Sequence, residues 1–94
     1  MKQHIDGNVY DTDKAKRICA HDVSINGNYK YTDTLMVVAG KFFKWRAWAD
    51  REGSITVLTR PDAYARACEY MQPFTEEEDT AIEKYFEDLY TELS

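Results

Sequence analysis

The sequence predicts an α+β fold, a small antiparallel sheet with helices packed on one face, and three stretches carry that expectation. Leu35 to Ala49, reading LMVVAGKFFKWRAWA, holds two apolar runs separated by Ala39-Gly40-Lys41, the pattern of a β-hairpin. Behind it, Thr59 and Thr75 each stand in front of a run whose apolar residues recur at helical spacing. The expected order is β-α-β-β-β-α-α in a single domain over residues 1–94, a length that buries roughly 60 to 70% of the unfolded surface in one core.

In chain order, Asp6-Gly7-Asn8 between Ile5 and Val9 marks a tight reversal or a bulge in a short first strand. Asp11 or Thr12 is placed to cap a helix whose buried side is Ala15, Ile18 and Cys19, with Lys14, Lys16 and Arg17 in solvent. That helix should end near His21-Asp22, because Val23 to Asn28 joins β-branched residues to an Asn26-Gly27 turn signal. From Tyr29 the alternation has period two as far as the hairpin turn. With Gly40 as the left-handed residue of a bulged turn, Val37 comes near Lys41, Met36 near Phe42 and Leu35 near Phe43. One face of the hairpin then carries Tyr31, Leu35, Val37, Phe43, Trp45 and Ala47, while Asp33 marks a sheet margin. The opposite face carries Lys30, Thr32, Thr34, Met36, Phe42, Lys44, Arg46 and Trp48.

The turn Ala49 to Gly53 leads to a fourth strand, Ser54 to Leu58. Thr59 caps the next helix, with Pro61 in its first turn and Tyr64, Ala67, Cys68 and Met71 as its apolar stripe. Gln72-Pro73-Phe74 breaks it, and Thr75 to Glu78 forms a capping box for the last helix, along which Ile82, Tyr85, Phe86, Leu89 and Leu93 keep helical spacing.

Charge is unevenly spread. The formal net charge is −5, yet residues 75–94 alone hold eight carboxylates against the single Lys84, which leaves the rest of the chain slightly basic. Two candidate binding surfaces follow. On the last helix, Asp79, Glu83 and Glu87 form an i,i+4 row extended by Glu76, and like charges at that spacing cost about 0.2 to 0.5 kcal/mol per pair, so stability alone does not select it. A rise of about 1.5 Å per residue brings carboxylates round every ~6 Å, a ladder suited to a groove built for a nucleic-acid backbone. On the sheet, Lys30, Phe42, Lys44, Arg46 and Trp48 interleave cations with aromatics, which suits either base stacking or an acidic protein surface.

Catalysis has little support. Cys19 and His21 are two apart on the expected helix and so point to different sides, and no phosphate loop or nucleophile elbow is present. Cys19 and Cys68 read as reduced, packed thiols, and His4 and His21 lack metal-ligand spacing, so neither a metal nor a cofactor is expected. The longest apolar run, Leu35 to Ala39, falls far short of the roughly 20 residues that span a bilayer, and the expected location is cytoplasmic.

Val9-Tyr10-Asp11-Thr12-Asp13-Lys14-Ala15, the segment from Thr34-Leu35 through Gly40-Lys41-Phe42-Phe43, and Leu58-Thr59 ahead of a helix resemble a loose group of small uncharacterised bacterial proteins carried on phages and other mobile elements. Those proteins read as a YDTETA start, an LYRTKKGxYF hairpin and an LTxEEA helix start. The chain departs from them where Val37-Val38-Ala39 replaces a polar Arg-Thr-Lys and Arg46-Ala47-Trp48 replaces a glycine-rich stretch. The resemblance implies a mobile-element setting and names no catalytic residue. The function it favours is a non-enzymatic binding protein that inhibits or modulates a host protein or nucleoprotein complex, in the manner of an anti-CRISPR protein with its acidic helix as a nucleic-acid mimic. The alternative is direct nucleic-acid binding through the basic aromatic sheet face.

Overall fold

In the computed structural model, which describes residues 1–89, six strands precede two helices. Strands β1 (Lys2–Ile5) and β2 (Asn8–Asp11) form a separate hairpin. Strands β3 (Lys16–Ile25), β4 (Asn28–Val38), β5 (Lys41–Trp48) and β6 (Ser54–Leu58) form a four-stranded antiparallel meander in that order, followed by α1 (Arg60–Tyr70) and α2 (Glu76–Phe86). The α+β class stands, as do the three strands and two helices expected after residue 28. Leu93, expected on the last helix, lies outside the described residues.

The segment expected to be the first helix is instead β3. Its capping signal survives as one turn, in which the Ala15 amide donates to the Asp11 carbonyl at 3.0 Å and the Asp13 amide to Asp11 Oδ1 at 3.0 Å. The turn does not propagate because the Asn26-Gly27 reversal, with both residues at positive φ, lays the chain back along β4 and offers a ladder down to Lys16↔Val37. A register shift between Arg17 and Cys19 gives Ile18 and Cys19 both a place in the core, which strict alternation would deny to one of them.

The hairpin turn also differs from its expected form. Ala39 (φ 49°) and Gly40 (φ 75°) are both left-handed, so the turn has two residues and no bulge. The pairs are Val38↔Lys41, Val37↔Phe42, Met36↔Phe43 and Leu35↔Lys44, one residue away from the expected register. Because side chains alternate, that single step exchanges the faces of β5 relative to β4.

Two cores result. On one side of the sheet α1 and α2 pack Ala63, Ala67, Met71, Ile82 and Phe86 onto Ile18, Cys19, Leu35, Val37 and Phe42. On the other side the β1–β2 hairpin lays Tyr10 over Met36, Phe43 and Ile55, with the Tyr10 and Phe43 rings edge to face at 5.4 Å. Trp45, expected on the face of Leu35 and Val37, lies instead on this hairpin side, half-buried. A Cβ at Gly53 would come 2.6 Å from the Arg46 carbonyl oxygen and 2.9 Å from Trp45 Nε1, so glycine is needed where the β5–β6 turn folds against them.

The register has a direct consequence for stability. An L-residue in the left-handed region carries a cost that asparagine bears most easily, so Ala39→Asn is expected to raise stability by about 0.5 to 1 kcal/mol, read as a higher denaturant midpoint. A bulged turn would hold Ala39 right-handed and gain nothing. Phe42→Ala and Phe43→Ala, although on opposite faces, should each cost about 3 to 5 kcal/mol in the same measurement.

Candidate functional site

Helix α2 is fixed at its N-terminus by a complete capping box: the Glu78 amide donates to Thr75 Oγ1 at 3.2 Å, and the Thr75 amide donates to Glu78 Oε1 at 2.9 Å. Glu78 does more than cap. Its Oε2 accepts from the Ala20 amide at 3.1 Å and from Arg17 Nη2 at 3.2 Å, which ties the helix start to the edge strand β3. The side chain is 5% exposed. Burial pushes its carboxyl up, but the amides of Thr75 and Ala20 and the Arg17 guanidinium outweigh that and hold it below its ordinary value.

With Glu78, Ile82 and Phe86 facing inward, helical geometry turns Glu76, Asp79, Glu83 and Glu87 outward, and all four are exposed. None of them forms a salt bridge among the described residues. Asp79 and Glu83 form the rim of a groove of about 360 Å³ between α1 and α2, whose walls include Tyr64, Cys68, Phe74 and Ile82. The acidic row expected from the sequence is thus a continuous exposed ridge beside a groove of mixed polar and apolar lining. Nearby Asp88 is engaged by Arg60, which also donates from Nε to the Tyr85 carbonyl at 3.0 Å.

The basic sheet cluster is only partly assembled. Lys44, Arg46 and Trp48 share the helix-facing side of β5 beyond the helix-covered core. Phe42, expected on an open face, is 6% exposed and packs on Phe86 at 5.2 Å and Tyr85 at 6.2 Å. Lys30 stands at an alternate position of β4 and so belongs to the opposite face. Both corrections follow from the one-residue change of register. Arg46 is moreover paired bidentately with Asp33, at 2.8 and 3.1 Å, and lies over the Tyr31 ring at 4.1 Å. Trp48 is half-buried between Tyr31, 4.8 Å away, and the Arg51 guanidinium at 4.6 Å.

Neither the pairing of Arg17 with Glu78 nor that of Asp33 with Arg46 was legible in the sequence. A hydrophilic residue at an alternate strand position, such as Asp33, is the only signal available, and its meaning depended on the register. The Cys19 thiol is buried, with Sγ 3.3 Å from Met71 Sδ, and burial, reinforced by Glu78, pushes it up to about 12. It is therefore a packing group at neutral pH. Among the described residues no three His, Cys, Asp or Glu side chains lie close enough to hold a metal ion, and no helix is long and apolar enough to cross a membrane. No protein-family model, curated protein or solved structure matches this chain.

Glu78→Ala is expected to cost about 2 to 3 kcal/mol, because it leaves part-buried donors unpaired and removes the cap together. Since the folded carboxyl titrates below its ordinary 4.5, this contribution is complete above that value and is lost as the pH falls through the folded pKa. Denaturant unfolding of wild type and Glu78→Gln at a series of pH values should show a gap that is widest near neutrality and closes in acid.

Proposed function

We propose that the protein is a small non-enzymatic binding protein that sets the outer face of α2 into a basic groove on a partner protein or nucleoprotein complex, and so inhibits or modulates it. The observation that carries this reading is the charge economy of the surface. Arg17, Arg46, Arg51 and Arg60 are each taken up by a carboxylate, whereas Asp79, Glu83 and Glu87 stand in an exposed row with no cation against them among the described residues. A row of like charges on a rigid helix steers association toward a cationic surface and fixes register along it. Its spacing suits a site evolved for nucleic acid, and the resemblance to mobile-element proteins favours a host defence complex of the CRISPR kind as the partner.

The test uses affinity capture from bacterial host lysate at low salt, with wild type beside Glu83→Lys and Glu83→Lys/Glu87→Lys. Glu83→Lys exchanges two like-charge pairs for attractive ones, so the free protein should gain a few tenths of a kcal/mol. Capture should weaken in the single variant, disappear in the double one, and be salt-sensitive in wild type. Equal capture by all three proteins would overturn the acidic docking helix.

A further inference from the structure

The end of the sheet that the helices leave open forms a second cleft, separate from the groove between α1 and α2. Arg66 and Tyr70, one turn apart on α1, project from the side of the helix away from Tyr64 and Cys68, which line the groove against α2. They meet the helix-facing surface of the sheet and enclose, with it, a cleft of about 250 Å³. His21, Asp33 and Arg46 lie side by side across β3, β4 and β5 along its floor, and Lys44 stands two residues further along β5.

The charges in this cleft do not balance. Three permanent cations, Lys44, Arg46 and Arg66, meet the single carboxylate of Asp33, and both oxygens of that carboxylate are already occupied by Arg46. Lys44 and Arg66 have no ion-pair partner among the described residues. The Lys44 ammonium is half-buried, and it is pulled below its ordinary range by burial and, against the opposing pull of Asp33, by the charges of Arg46 and Arg66. Lys44 and Arg46, partly withdrawn from water with exposed Arg66 beside them, repel one another until an anion joins them. Flat apolar walls complete the cleft: the Tyr31 ring, held by the stacked Arg46, and the Tyr70 ring, 5.5 Å from the Arg66 guanidinium.

We propose that this cleft binds a small phosphate monoester carrying a planar ring, its phosphoryl group between Lys44 and Arg66 and its ring against the tyrosines. A phosphoryl dianion matches the two unpaired cations, and the planar guanidinium of Arg66 suits its paired oxygens. The volume, at the small end for ligand sites, suits a phosphoryl group joined to one planar ring system. Arg46 positions the floor through Asp33 and Tyr31, and His21 offers a further ring nitrogen at the edge of the cleft.

Amide NMR titration of the full chain at low salt tests this with adenosine 5′-monophosphate, inorganic phosphate and adenosine as probes. The monophosphate should give saturable shifts centred on Lys44, Arg66 and Tyr70, bind about tenfold or more tightly than inorganic phosphate, and exceed adenosine by a similar factor. Lys44→Gln and Arg66→Gln should each weaken it about tenfold, whereas Lys30→Gln, on the opposite face, should not. Unfolding midpoints of the variants show whether they remain folded, and Arg66, exposed on α1, gives a variant expected to keep the fold. Equal affinity for phosphate and monophosphate, equal affinity for adenosine, non-saturating shifts, or the same loss in Lys30→Gln would each overturn the proposal. Glu83→Lys should leave these shifts unchanged, which keeps the cleft distinct from the acidic helix.

Discussion

The two-residue turn at Ala39-Gly40 is the constraint from which the rest of the structure follows. By placing both residues in the left-handed region it fixes Val38 opposite Lys41, and every later pair of β4 and β5 is then determined as far as Tyr31↔Trp48. Phe42 joins the helix-side core because it faces Val37, and Phe43 joins the hairpin-side core because it faces Met36. The same register puts Arg46 directly across from Asp33 and builds the floor of the cationic cleft. The bulged register would put Phe42 in the place of Phe43 across from Met36, and Lys44 in that of Trp45 on the hairpin side.

Elements whose signals are local were legible in the sequence. Thr59 and Thr75 both cap the helices that follow them, and the Asp6-Gly7 and Asn26-Gly27 reversals are where turn chemistry puts them. The stretch around Ile18 was not legible, because a short stripe of Ala15, Ile18 and Cys19 satisfies a helix while the strand that captured it lies beyond the next turn. The hairpin register was not legible either. Alanine before glycine favours a bulged turn, which keeps alanine right-handed, and the packing of two cores overrides that local preference.

The candidate surfaces divide along the same line. The acidic row on α2 needed only helical periodicity, and all four of its residues are exposed as that periodicity requires. The sheet cluster needed a register, so it kept Lys44, Arg46 and Trp48 together and lost Phe42 and Lys30. Arg66 and Tyr70 come from a helix that follows the sheet in sequence, and their meeting with Lys44 is a product of tertiary packing. The acidic row of α2 thus faces solvent, whereas Lys44 and Arg46 are half-buried where α1 meets the sheet.

The Glu78 carboxylate also affects how the molecule behaves in a crowd. Strand β3 lies at the edge of the sheet, where unpaired amides form a template for strands of other molecules. By accepting the Ala20 amide, Glu78 occupies one rung of that template from the protein's own helix, and Arg17 is drawn across the same place. An incoming strand would have to expel a buried carboxylate before it could pair there, and along the edge it would also meet the charged or polar side chains of Lys16, His21 and Asp22. The contact that seats the helix thereby blocks one rung of the edge to strands of other molecules, on a ten-residue strand already bent by its register shifts.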